Sequence, residues 1–331
     1  MNQPTKTLRP PVRNATVRKI AADSPARPVF IALAVVAAVG WILVNADGGQ
    51  LFSQDSLVGI QQRSAALGIV AVGQTLAILA GSLDLSVAYL ISLTSLVAAE
   101  TMAEYGVLAG IGAVLVLSAL VGLVNGLVIT RLKVHAFIAT LGVALIIRGI
   151  LDDRYDGPAG SVPTSFQRLG YDRIGPIPVS ALLWGGIAIA AILLLRRTTL
   201  GFRIYAVGGD PEVARLSGVR TDRIIVATHV LCSLCAGAAG LLLAARLGAG
   251  APTVGTDGGY DLESIAAVVL GGTALAGGRG GVAGTVGGVL VLAVLDSVFN
   301  QLEVNSFAKD VVRGVVIVAA LAVYARGRRS K

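Results

Sequence analysis

Long apolar runs, most of them closed by arginine or lysine, constrain this chain more than any other feature. Residues 28–44, 64–80, 85–99, 107–130, 136–151, 178–195, 224–245, 264–275, 282–299 and 311–325 carry few charges. Several reach the roughly 17 to 25 residues that take a helix through the hydrocarbon layer. Only 14% of the 331 residues are charged and the mean hydropathy is +0.79, whereas about a quarter of a soluble domain is charged. These properties predict an all-α fold, a polytopic membrane helical bundle of about ten transmembrane helices, because lipid demands that each segment satisfy its own backbone.

The net charge of +8 invites a nucleic-acid reading. The basic residues sit at the ends of the runs rather than on one soluble face, which excludes it. They concentrate in residues 1–27, at Arg131 and Lys133, in 196–223, at Arg279 and in 326–331, and most acidic residues lie toward the other face. Basic loops stay in the cytoplasm, so both termini are expected inside, and ten crossings satisfy that parity. The expected division is a basic cytoplasmic tail over residues 1–27, a transmembrane domain over 28–325 and a basic cytoplasmic C-terminus over 326–331. The tail is too polar and long to open a cleaved signal peptide, so 28–44 reads as a retained span.

Two runs, 85–99 and 264–275, look too short for straight crossings. Asp84-Leu85-Ser86 opens the first and Asp261-Leu262-Glu263 opens the second. Short segments at matching places in two halves are the sign of discontinuous helices around a central path. Parity puts Asp84 toward the cytoplasm and Asp261 toward the outside, which makes an inverted repeat. The 42 glycines point to close helix contacts and broken helices.

Asp84 has two readings: a buried charge tied to a pathway or partner, or a cap for the helix that starts at Leu85. Cys232 and Cys235 lie inside an apolar run. With only His135 and His229 as further ligands, they read as small packing residues rather than a redox or zinc pair. Gly277-Gly278-Arg279-Gly280-Gly281 lacks the Lys-Ser or Lys-Thr of a phosphate loop. No Ser, His and Asp arrangement, metal cluster or Walker sequence stands out, so neither an enzyme nor a cofactor is expected on this chain. Arg148 lies near the outer end of its run, where its side chain can reach the interface. Residues 152–177, rich in Asp, Arg and Pro, are either a solvated connector or a docking surface for an external partner.

Residues 196–223 interrupt the apolar pattern. Asp210 can cap a short helix, Pro211 suits its first position, Glu212 favours its positive end and Gly218 can supply a left-handed stop. That leaves about two turns. Val213 and Leu216 share one face, with Glu212 and Arg215 as a polar flank. Two turns do not hold alone in water, so such a helix must dock on something. The plainer alternative is a basic loop between spans.

The wording of residues 201–219, from Gly201-Phe202-Arg203-Ile204-Tyr205 through Gly208-Gly209-Asp210 to Ala214-Arg215-Leu216-Ser217-Gly218, resembles the cytoplasmic coupling segment of ABC importer permeases of the ribose or monosaccharide type. Asp210 stands for that family's usual Asn. Gly81-Ser82-Leu83-Asp84-Leu85-Ser86-Val87, Asn125-Gly126 with residues 129–142, and Gly259-Tyr260-Asp261 through Gly272-Thr273 are similar to further signatures of the family. They occur in the family's order over most of residues 68–325. His135-Ala136 replace a pair that usually ends in Pro, and Asp296-Ser297 replace Asn-Gly.

The resemblance implies a type II ABC importer-like permease in the bacterial cytoplasmic (inner) membrane. It further implies a second permease copy or paralogue, an external or periplasmic solute-binding protein, and a separate ATPase subunit holding ATP and Mg²⁺. The solute implied is a monosaccharide or similar polyol. Contact with the ATPase is expected from Tyr205, Gly208, Asp210, Glu212, Ala214, Arg215, Leu216, Ser217 and Gly218. The solute path is expected to involve Asp84, Asn125, Phe137, Thr140 and Asp261. Competing readings are an ion-coupled secondary transporter using Asp84 or Asp296, a related permease for amino acids, nucleosides or a furanosyl signalling molecule, and a non-transporting membrane scaffold or receptor.

Overall fold

Apolar on every side and almost free of charge in its second half, the helix at residues 54–79 has no polar face to turn outward. In the computed structural model, which describes residues 27–305, 307–309, 311–312 and 314–315, it is the central element. Helices of this kind belong in the middle of a bundle, and every residue from Ser64 to Leu79 is buried. The expected tail up to residue 26, the C-terminus and most of the last expected span lie outside the described residues.

The first helices are α1 (Arg27–Ala46), α2 (Gln54–Leu79), α3 (Val87–Tyr105), α4 (Val107–Arg131) and α5 (Ala136–Arg154). A short α6 (Thr164–Tyr171) and a two-residue hairpin, β1 (Arg173–Ile174) with β2 (Ile177–Pro178), lead to α7 (Val179–Arg197). Then come α8 (Thr199–Gly209), α9 (Pro211–Leu216), α10 (Thr221–Leu247), α11 (Val254–Asp257), α12 (Tyr260–Leu270) and α13 (Val282–Gln301). Around α2 stand α7, α10, α12 and α13, while α3, α4 and α5 form the opposite flank.

Among the described residues, seven helices are long and apolar enough to cross a membrane: α1, α2, α3, α4, α7, α10 and α13. The expected count of about ten is not reached by that measure. α5 has 19 residues but ends in charge, with Arg148, Asp152, Asp153 and Arg154 in its C-terminal half. α12 has 11 residues, about 16 Å of helix, half the hydrocarbon thickness of about 30 Å.

The expectation of a short span at 85–99 is corrected. α3 runs for 19 residues, because Met102 stays buried beyond Ala99 while Glu100 and Glu104 turn to the exposed side. The left-handed Gly106, φ 86°, then ends it. So the discontinuity in the first half is the break at residues 80–86, and only the second half has a short helix among the described residues.

In lipid, apolar surface alone does not drive helices together, and small residues that let backbones approach do. Gly122 and Gly126, four apart on α4, do this against α10. A Cβ at Gly122 would lie 2.6 Å from Val230 Cα, and one at Gly126 would lie 2.6 Å from Val226 Cα. The two helices are therefore antiparallel, and Asn125 between the glycines is pressed into their seam. On α2, Gly73 faces Cys232 Cα and Cys235 Cβ, so both cysteines serve as small packing residues.

Beyond α10 the left-handed Gly248, φ 72°, turns the chain back. Gly250 then lies against Leu96 and Gly255 against Ala88, so this segment descends along α3 before α12 continues inward. Residues 152–177 are folded rather than a bare connector. Tyr171 Oη donates to the Arg246 carbonyl at 2.5 Å, and Val162 N–H donates to the Gly248 carbonyl at 2.9 Å. The loop caps the C-terminal end of α10.

Candidate coupling surface and buried polar site

The polar interruption folds into two helices, where the sequence predicts one short helix held on a loop. Thr198 caps α8, its Oγ1 accepting from Gly201 N–H at 3.2 Å. Tyr205 Oη donates to the Gly280 carbonyl at 2.9 Å, and burial pushes its phenol above the usual range. Gly208 rests against the Leu79 carbonyl, where a Cβ would overlap the oxygen. The same carbonyl accepts from Gly278 N–H at 2.9 Å. α8 is thus fastened to the last residue of α2 and to the glycine turn after α12.

α9 forms as its residues predict. Asp210 Oδ1 accepts from Glu212 N–H at 2.9 Å and from Val213 N–H at 3.0 Å, with Pro211 at the first position. Gly218, at φ 84°, closes it, and Val219 N–H donates to the Ala214 carbonyl at 3.0 Å. Arg215 and Glu212 pair at 2.7 Å, and that hydrogen bond raises the guanidinium pKa further. Ala214 is buried, whereas Val213 is 58% and Leu216 79% exposed. The short helix is seated through one alanine and presents its apolar pair outward.

The second site lies in the break between α2 and α3. Asp84 is fully buried, and donors surround its carboxylate. Ser86 gives its N–H at 3.0 Å and its hydroxyl at 2.5 Å, Asn125 Nδ2 lies 3.3 and 3.4 Å away, and His229 Nδ1 is at 3.1 Å. The bond from Ser86 N–H is a local turn just before α3, close to the expected cap. The bonds from α4 and α10 give the charge the partners that a buried carboxylate requires. His229 Nε2 lies 2.7 Å from Ser82 Oγ. Thr140 Oγ1 on α5 accepts from Leu85 N–H at 3.1 Å. Three helices therefore hold one seven-residue break.

Asp84, Asn125 and Thr140 are thus brought together, and the other two expected path residues are not. Phe137 is 46% exposed on the outer side of α5. Asp261 opens α12 beside Tyr260 and Glu263, which line a cavity of about 220 Å³ with Arg63, Arg246 and Asp296. His229 and Arg246 are 17 residues apart on α10, or about 25 Å, so this cavity lies well along the bundle from the Asp84 carboxylate. The charge of Asp296, unexplained by the sequence, belongs to that far cavity.

The fold assembles one arrangement that does not stand out in the sequence. Ser82, His229 and Asp84 form a Ser-His-Asp chain, brought together from positions 145 residues apart. Ser82 is 3% exposed and the other two fully buried, so no substrate reaches the hydroxyl and the geometry is that of a structural network. His229 is the residue that sequence reasoning missed. Its only signal was a histidine inside an otherwise apolar run.

Residues 56–321 match the family described as branched-chain amino acid transport system / permease component. The chain belongs to that family. This permease is 40% identical over 302 residues to the ribose import permease protein RbsC of Escherichia coli strain K12, covering 89% of this chain and 92% of the relative. It is 37% identical over 277 residues to the RbsC protein of Bacillus subtilis strain 168, at 80% and 83% coverage. To the L-arabinose transport system permease protein AraH of Escherichia coli strain K12 it is 39% identical over 258 residues, at 77% of each chain. No solved structure matches this permease.

Proposed function

We propose that the chain is the membrane-spanning subunit of an ATP-driven importer for a monosaccharide of the ribose and arabinose class. The observation that carries this reading is the surface of α9, a capped helix that offers Val213 and Leu216 to solvent, on a chain that aligns with a ribose import permease over 89% of its length. A separate ATPase subunit, holding ATP and Mg²⁺, receives α9 in a groove. Asp210, Glu212, Arg215, Ser217 and Gly218 build that helix, and Tyr205 and Gly208 carry its displacement to α2 and to the turn after α12. The coupling end and both termini face the cytoplasm, in keeping with the arginines clustered there.

On the outer side, the folded cap of α6 and the hairpin receives a solute-binding protein. A second copy of the chain, or a paralogue, completes the path. Asp84, Asn125 and Thr140 stand at its inner gate and Asp261 at its outer end, while Phe137 is offered to the second permease. A neutral polyol needs hydrogen-bond partners rather than a charged pocket, so its selectivity lies mainly in the binding protein.

Proteoliposomes holding the permease with its cognate ATPase subunit and solute-binding protein test this. Labelled ribose or arabinose accumulates only with ATP. Accumulation driven by an ion gradient without ATP, or no uptake of any pentose or hexose, refutes the assignment.

A further inference from the structure

We infer that His229 is the positioning residue that joins the coupling segment to the inner gate, by holding the α2–α3 break against α10 through Asp84 and Ser82. The inference rests on the importer reading above.

The break is held on its coupling side by α8. Gly208 abuts the Leu79 carbonyl, and the next residues, Ala80 and Gly81, border a cavity of about 320 Å³ with Thr130, Lys133 and Asp222. That side has room to move. The inner side is fixed through Asp84, and its donors are not equivalent. Ser86 lies two residues along the same loop and travels with it, and its tie to another helix is through its hydroxyl, which accepts from Asn125 Nδ2 at 2.9 Å, a bond that does not hold the carboxylate itself. The two bonds from Asn125 to the carboxylate are long, at 3.3 and 3.4 Å. His229 Nδ1, at 3.1 Å, is the shortest tie to the carboxylate from another helix.

The same ring reaches Ser82 through Nε2 at 2.7 Å, so one imidazole grips the break at two points. The carboxylate accepts, so Nδ1 donates to it, while Nε2 pairs with the Ser82 hydroxyl. α10, which carries this ring, begins at Thr221, five residues after α9 ends. A push on α9 therefore reaches the break by two routes, through α8 to Leu79 and through α10 to His229. Asn125 Oδ1, the atom of the network left without a hydrogen-bond partner, is an acceptor and cannot donate in place of a bond cut here.

Substitution separates the two grips. An asparagine amide occupies the place of Nδ1 and keeps the tie to Asp84, whereas a glutamine amide reaches the place of Nε2 and keeps only the tie to Ser82. Transport and ATP hydrolysis are measured together in proteoliposomes of the assembled importer. His229→Gln and His229→Leu are expected to consume about tenfold more ATP per solute, the scale of one lost charge-assisted hydrogen bond. His229→Asn stays within about twofold of the parent, a fraction of that loss. A parental ratio in His229→Leu, or equal ratios in the Asn and Gln variants, overturns the inference. So does failure of all three to accumulate in the membrane, which assigns the ring to folding rather than to the cycle. A parent that does not transport at all sinks the importer reading instead, before any variant is compared.

Discussion

Gly208 sits against the carbonyl oxygen of Leu79 so closely that a single added methyl group would overlap it. This is the point where the polar interruption touches the central helix of the bundle. The next residue, Gly209, has nothing within 4 Å of the corresponding position, so the pair is a matched experiment. Gly208→Ala forces α8 away from α2, at the overpacking cost of about 1–3 kcal/mol. It is expected to abolish most ATP-dependent uptake while the protein remains in the membrane. Gly209→Ala should transport as the parent does. Equal uptake by the two variants at equal membrane levels would remove Leu79 from the coupling route.

Asp210 tests the helix itself. Its carboxylate accepts from two N–H groups that have no partner within α9. Asp210→Ala should cost about 0.5–2 kcal/mol of local stability, which matters in a helix of six residues. Asp210→Asn keeps an oxygen in the same place. Uptake should fall in the alanine variant and persist in the asparagine variant. Protease cleavage near Arg215 should become faster in the first only, and unchanged cleavage in both would separate the cap from the stability of α9.

Much of this was legible in the residues. Every expected apolar run up to residue 299 coincides at least in part with a helix, because in lipid a long uncharged segment has one way to satisfy its backbone. The cap at Asp210 and the stop at Gly218 were equally readable, since both are local chemistry. The C-terminal end of α3 was not, because two glutamates after an apolar run look like a loop when burial of the intervening Met102 cannot be seen. Nor was α8, whose Gly208 and Gly209 are poor helix formers held in place by α2 and the Gly277–Gly278 turn. The link from Asp84 to His229 depends on how α2 and the break after it lie against α10, where Gly73 meets Cys232, and no local pattern encodes that.

Leu216 separates docking from folding. At 79% exposure it contributes little to the permease alone, so Leu216→Glu should change the thermal stability of the isolated protein by no more than about 0.5 kcal/mol. If α9 is the seat of the ATPase, the same change removes an apolar anchor and adds a buried charge at the contact. Affinity for the ATPase should then fall by about tenfold or more. Co-purification of the two subunits and a melting curve of the permease read the two quantities separately. A melting point shifted by several degrees with affinity intact would make Leu216 part of the bundle's own core.

The two ends of α10 face different compartments if the proposed orientation holds. Its 27 residues span about 40 Å, enough to put α9 and the outer hairpin on opposite sides of a bilayer. Ile174 in the hairpin is 65% exposed, like Leu216 well placed for a reagent in solution. Cys232 is fully buried and out of reach, while Cys235 is partly exposed and is first replaced by Ala. In right-side-out vesicles a membrane-impermeant maleimide should label Ile174→Cys and spare Leu216→Cys, and in inside-out vesicles the order should reverse. The opposite pattern would put α9 outside, where no ATPase can reach it, and the arginines around it would then break the rule that keeps basic loops in the cytoplasm.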